Sequence, residues 1–185
     1  MELLSIASGS SGNCYYIGNE ETHLLVDAGV SGKKIETALN EIDRKPSDLN
    51  GILVTHEHID HVKGLGVMAR KHGIPIYTTG GTISEIKKMS SVGTIDDSLF
   101  HEIEPDEPFF INDLSIDASA IWHDAADPVC YSISDGKSKF SIATDMGNFD
   151  DYVVNKLKNS DIMVIEANHD IRMLQAGPYP YYLKQ

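Results

Sequence analysis

Val54 to Gly64 reads VTHEHIDHVKG. Three of the chain's eight histidines, His56, His58 and His61, fall within six residues, with Glu57 and Asp60 among them. Alternate residues of an extended chain face the same way, so His56 and His58 converge at the mouth of a strand. Asp60 continues that spacing as the backbone turns, and His61 opens the next helix. Imidazoles and a carboxylate gathered at a strand end suit Zn²⁺, Mn²⁺ or Fe²⁺. Glu57, one position off the pattern, is expected to face the other way as a spacer. The bland alternative is a chance cluster on a polar loop, which any short motif must be weighed against. A helical hydrolase built on a His-Asp pair is disfavoured by the apolar strand ahead of His56. A barrel amidohydrolase needs about 250 residues, and the chain has 185.

The elements that must position these groups are legible from pattern. Leu3–Ala7, Cys14–Ile17 and Thr22–Val26 read as short strands separated by the turn-like SGSSGN and GNEE. Ser31–Ile42 has helical spacing at Ile35, Ala38, Leu39 and Ile42, with Ser31 as cap. Ile52–Val54 is a buried strand that delivers the histidines. His61–Lys71 reads as one helix ended by Gly73. Ile74–Tyr77, Phe109–Ile111, Leu114–Ala120, Val129–Ile133, Lys139–Ala143 and Asp161–Glu166 read as strands, with a hairpin at Asp135-Gly136. Gly81–Met89 and Asp151–Leu157 read as helices. Strands in antiparallel runs with helices between them make a mixed α/β (α+β) chain, expected to be one domain over 1–185.

Composition narrows the functions. Forty-one per cent hydrophobic and 23% charged residues describe a globular chain. Fifteen basic against 28 acidic residues give a net charge of -13, which argues against a broad basic surface. Bound divalent ions would still make a local positive site. Cys14 and Cys130 lack metal-type spacing and read as buried thiols of a reducing compartment. The start MELLSIASG carries no basic leader, and no window holds the roughly 18 apolar residues of a membrane span. The expectation is a cytoplasmic protein without a membrane association.

Further candidates carry two readings each. His123, after Trp122 at the end of an apolar strand, is a surface His or a ligand. Asp145 is a helix N-cap or a ligand. Asp27 is a strand-end turn residue, or a carboxylate that accepts hydrogen bonds from the His56–His61 loop and orients an imidazole. Gly9–Asn13 is a hairpin turn, or a phosphate cradle using Ser10, Ser11 and Asn13. His169 is structural or contacts substrate. Tyr179, Tyr181 and Tyr182 stack on bases or cover an apolar face. His23, His72 and His101 read as surface residues.

The His-x-His-x-Asp-His segment resembles the signature loop of the metallo-β-lactamase fold superfamily. LLVDAG (Leu24–Gly29), WHDA (Trp122–Ala125) and SIATDMG (Ser141–Gly147) are similar to its early Asp strand, third-His segment and bridging-Asp segment. More narrowly, SGSSGNCYYI, HDAADPV, TDMGN, EANHD and GPYPYYLK resemble the YycJ/WalJ-type branch, bacterial proteins implicated as DNA exonucleases. The resemblance implies a four-layer αββα sandwich and two divalent ions, Zn or Mn. It implies His56, His58 and His123 for the first ion, Asp60 and His61 for the second, and Asp145 between them. Asp60 and Asp145 would be the catalytic carboxylates, and Asp27 would stand behind the ligands. The β-lactam-cleaving members carry Cys where this chain has Asp145.

One late His expected from the resemblance is not found before Gln185. The expectation is therefore a chain cut short of its C-terminal elements, with a weakened second ion and a surface open to dimerisation. DNA is the expected substrate. A small-molecule thioester or cyclic phosphodiester hydrolase, and a catalytically incomplete metal-binding fragment, are the alternatives.

Overall fold

The computed structural model describes residues 1–166; His169 and the Tyr179–Tyr182 run lie outside them. Two sheets carry the molecule. In the first, β1 (Glu2–Ala7), β2 (Cys14–Gly18) and β3 (His23–Val26) form an antiparallel meander. β4 (Gly51–Leu53), β5 (Ile76–Thr78) and β6 (Phe100–Glu102) extend it with parallel pairing, in the order β1-β2-β3-β4-β5-β6. In the second, β7 (Phe109–Ile111), β8 (Leu114–Ala120), β9 (Val129–Ser134) and β10 (Lys139–Ala143) run antiparallel. β11 (Ile162–Ile165) then pairs parallel to β10.

Burial sorts by strand face. Tyr15, Ile17, Leu24, Val26 and Leu53 of the first sheet meet Ile116, Ala118, Tyr131, Ile133 and Ile142 of the second. The alternate residues Tyr16, Leu25 and Ile52 face outward into a second cluster. There they pack on Ile35 and Leu39 of α1 (Gly32–Glu41), Leu65 and Met68 of α3 (Leu65–His72), and Ile86 of α4 (Gly80–Lys88). Val153 and Leu157 of α5 (Asp151–Leu157) cover Ile121, Cys130 and Ala143 on the far side of the second sheet. Strands clad on both faces need apolar residues at successive positions, which is why CYYIG and HLLV are buried throughout. The result is the four-layer αββα sandwich.

Local chemistry sets the element ends. Ser31 Oγ accepts from the Lys34 amide at 3.3 Å and starts α1. Gly73, left-handed at φ 66°, ends α3. At the β9–β10 hairpin Asp135 Oδ1 accepts from the Lys137 and Ser138 amides, with Gly136 at φ 81°. The helix expected over 61–71 is two helices, α2 (Ile59–Val62) and α3. Between them the Gly64 amide donates to the Ala28 carbonyl at 2.7 Å, and this tertiary bond replaces a helical one. β6 escaped the pattern because FHE is too short and too exposed to alternate. His23 is a correction: it is buried, and its Nδ1 lies 2.8 Å from the Tyr16 hydroxyl. Cys14 and Cys130 are free and buried.

Strand direction decides where the chemistry gathers. β3, β4, β8, β10 and β11 all run toward one end of the sandwich, and β2 starts there. Asp27, Thr55, His123, Asp145, Glu166 and Asn13 lie within three residues of the ends of those strands. Among the described residues, no helix is long and apolar enough to cross a membrane.

Candidate metal centre

Val54 leaves the sheet with its carbonyl held by the Tyr131 hydroxyl at 2.9 Å, and Thr55 O accepts from the Val129 amide at 3.0 Å. The His loop therefore starts from a point fixed to both sheets. It is then stitched to the turn after β3. Asp27 N donates to Leu53 O at 2.8 Å, Ala28 N to His61 O at 2.8 Å, and Asn13 N to Asp60 O at 2.7 Å. Gly29 lies at the crossing. A Cβ there would run into the Asp60 carbonyl oxygen and sit 2.6 Å from Asn13 N, so only glycine lets the three segments close.

Asp27 organises the imidazoles from beneath. It is fully buried and its backbone is left-handed at φ 60°. Its Oδ1 accepts from the Thr55 amide at 2.8 Å, and its Oδ2 takes His61 Nδ1 at 2.8 Å. The Thr55 hydroxyl donates its one hydrogen to this carboxylate at 2.9 Å. It is then free to accept from His56 Nδ1, 3.0 Å away. Both histidines thereby have Nδ1 committed to a hydrogen bond and turn Nε2 outward, the orientation that metal-ligating histidines show. On the other side, Asp124 Oδ1 lies 3.3 Å from His123 Nδ1, and His123 Nε2 faces His58 Nδ1 at 3.1 Å.

Two sets of donor atoms result. Those of His56, His58 and His123 lie within 4.8 Å of one another, and so do those of His56, His61 and Asp145. His56 belongs to both. Its Nε2 and Asp145 Oδ2 are buried and have no hydrogen-bond partner among the described residues. Buried polar atoms are rarely left so. Asp145 Oδ2 forms an ion pair with His61 Nε2 at 2.7 Å. A ring nitrogen and a carboxylate oxygen at that distance compete for one proton, and the same lone pairs would serve a divalent cation. Two ligands of a tetrahedral ion bound at about 2.0–2.1 Å are about 3.3 Å apart, close to the His58–His123 separation. The donor set, nitrogen with a hard oxygen, fits Zn²⁺ or Mn²⁺.

The electrostatics agree. Burial alone would lower the His61 pKa, but the Asp27 charge and then Asp145 overturn that and raise it to about 10. Burial, and then the neighbouring imidazoles led by His61, hold His56 far below the usual imidazole range. Burial also lowers His123. Burial opposes ionisation of Asp145, but His61 beside it keeps the carboxylate below its ordinary value. His56 and His123 therefore stay neutral, while a cationic His61 balances the ionised Asp145; a divalent ion would take the place of the His61 proton.

The remaining candidates are placed as follows. Asp60, on α2, is partly exposed with Oδ2 3.8 Å from His61 Nε2, and it falls outside both donor sets. Asn13 is buried; its Oδ1 accepts from the Gly9 amide at 3.0 Å and its Nδ2 is 3.0 Å from His61 Nε2. Ser10 and Ser11 are exposed at the tip of the same turn. Three residues were missed. Thr55 carries the hydroxyl just described. Glu57 does leave the imidazoles, but its Oε1 accepts from the Ala126 amide at 2.8 Å and holds the loop after His123. Glu166 Oε2 accepts from the Asp145 amide at 2.7 Å, which helps hold Asp145 left-handed at φ 56°. Each of these residues acts through a contact distant in sequence, and no spacing announces it.

Residues 22–178 match the family model described as the beta-lactamase superfamily domain. The chain belongs to the metallo-β-lactamase superfamily. Within this superfamily it is 42% identical over 180 residues to the exodeoxyribonuclease WalJ of Streptococcus pneumoniae, covering 97% of this chain and 67% of that protein. It is 37% identical, with the same coverages, to the exodeoxyribonuclease YycJ of Bacillus anthracis. The chain spans about two thirds of the length of these relatives. Among solved structures, the metallo-β-lactamase fold protein YhfI of Bacillus subtilis superposes with a TM-score of 0.70 at 17% identity, over 90% of this chain and 71% of that one. Zn²⁺-bound PqqB of Methylobacterium extorquens gives 0.73 at 16% identity, over 91% and 64%. These two likenesses speak for the metallo-β-lactamase fold.

Proposed function

We propose that this chain is a metal-dependent phosphodiester hydrolase acting on DNA as an exodeoxyribonuclease. The observation that carries the reading is the pair of donor sets that share His56, one of them completed by a carboxylate rather than a thiol. Relatives named exodeoxyribonucleases over nearly the whole chain support it. In this reading His56, His58 and His123 would hold one divalent ion, and His61, Asp60 and Asp145 a second. Such ions, Zn²⁺ or Mn²⁺, lower the pKa of water and offset charge on phosphoryl oxygens.

The chain's own residues do the rest. Asp27 and Thr55 fix the tautomers of His61 and His56, so the ligand nitrogens need no rearrangement when DNA arrives. Asp60, the partly exposed carboxylate at the rim, accepts a hydrogen bond from the attacking water and aims it at phosphorus. Asp145 would contribute the negative charge of its carboxylate to the ion's site. Ser10 and Ser11 offer hydroxyls to a phosphoryl oxygen at the exposed tip, and the buried Asn13 ties that turn to His61. Free buried thiols and the absence of an apolar spanning helix among the described residues are in keeping with a cytoplasmic setting.

The test is degradation of end-labelled DNA by the purified chain with Mn²⁺ or Zn²⁺. Asp60→Asn is expected to lower kcat about a hundredfold or more while leaving the far-UV spectrum intact. Turnover of a thioester by a wild-type chain that leaves DNA whole would overturn the reading.

A further inference from the structure

One groove of about 420 Å³ opens between β1 and α1, lined by none of the residues of the metal centre. Its floor is Leu4 and Ile6 of the edge strand β1, and its wall is Lys33, Lys34 and Thr37 of α1. β1 runs parallel to β3, so Ile6 and the start of α1 lie at the site end of the sandwich. The Ser8–Asn13 turn that follows β1 separates the groove from His61, which Asn13 touches at 3.0 Å. Glu41 closes the far end of the groove.

The charges in it are placed against local preference. Lys33 and Lys34 occupy the first turn of α1, which carries no acidic residue. The helix dipole disfavours cations at that end. Both side chains are exposed, and among the described residues neither has a carboxylate within ion-pair distance. Neighbouring cations are spoken for: Lys71 pairs with Glu36 at 2.7 Å, and Arg70 donates to the Val92 and Thr94 carbonyls. In a chain of net charge -13, two unpaired lysines beside a helix N-terminus make a concentrated positive spot. A local rule broken without structural compensation points to a functional demand.

We propose that this groove receives single-stranded DNA running to or from the metal centre, with phosphates on Lys33 and Lys34 and a base or sugar against Leu4 and Ile6. The inference rests on the nuclease reading for its choice of ligand. A polyanion fits the lysines and the helix dipole together, a flat apolar floor suits the hydrophobic face of a nucleotide, and Glu41 turns the strand out before the groove ends. The groove thus supplies affinity for chain length, while the metal centre supplies cleavage.

The experiment measures anisotropy of an end-labelled single-stranded oligodeoxynucleotide with the full chain in EDTA, where no cleavage occurs, across a salt series. Lys33→Gln/Lys34→Gln is expected to weaken binding about tenfold at low salt. It should also flatten the dependence of log affinity on log salt by about 1.4, two phosphates at about 0.7 each on a single strand. Lys33→Arg/Lys34→Arg should restore both. Hydrolysis of a small chromogenic phosphodiester, which has no chain to lie in the groove, should be the same in all three proteins with Mn²⁺. Unchanged affinity and salt slope in the glutamine variant would overturn the groove. Absence of phosphodiester and DNA hydrolysis by the wild type would overturn the nuclease reading alone, because the EDTA binding arm decides the groove independently.

Discussion

Asp27 shows how much a single side chain beneath a site can decide. It touches no open space, yet through Thr55 and His61 it sets which nitrogen of two imidazoles is free. Asp27→Asn keeps a residue that tolerates left-handed backbone but removes the charge and offers a hydrogen where an acceptor is needed. We expect metal affinity to fall about 10–100-fold, read by competition with a chromophoric chelator, with little change in fold. The donors His56, His58 and His61 were legible in one stretch of sequence because adjacent residues share one loop; Asp60, expected with them, stands outside both donor sets. His123 and Asp145 were legible only by resemblance, since each alone is an ordinary strand-end residue. Thr55, Glu57 and Glu166 were not legible at all: their partners Asp27, Ala126 and Asp145 are joined to them by folding, not by spacing.

At the scale of elements, strand periodicity and turn chemistry gave most of the architecture. β10 and α5 fall where Lys139–Ala143 and Asp151–Leu157 were expected. The failures are those in which tertiary contacts override local preference. The helix expected over 61–71 breaks because Gly64 answers Ala28 rather than its own helix, and β6 exists only because β5 pairs with it. The junction that matters most is the crossing at Gly29, where three segments pack backbone to backbone. Gly29→Ala forces the Asp60 carbonyl away and with it the loop carrying His61. We expect a loss of about 3 kcal/mol in urea unfolding of the metal-free chain. Weakened metal binding should accompany it, which distinguishes this variant from a destabilising change remote from the site.

On the scale of the whole molecule, the two sheets share one site. His56, His58 and His61 leave the first sheet, while His123 and Asp145 leave the second. An ion held by both stabilises the folded state by mass action. Zn²⁺ or Mn²⁺ at about a hundred times its dissociation constant should contribute about 2.7 kcal/mol, a rise in Tm of about 5–10 °C for a chain of this size, reversed by EDTA. A Tm indifferent to both metals would mean that the donors do not act as one site. The same division has a consequence in time. Neither sheet alone presents a full set of donors, and the segment from His56 to Asp145 must close before they meet. An ion bound there would therefore arrive as a late witness of folding: it would be retained only by chains whose sheets have already docked, and its uptake would count correctly assembled molecules rather than collapsed ones.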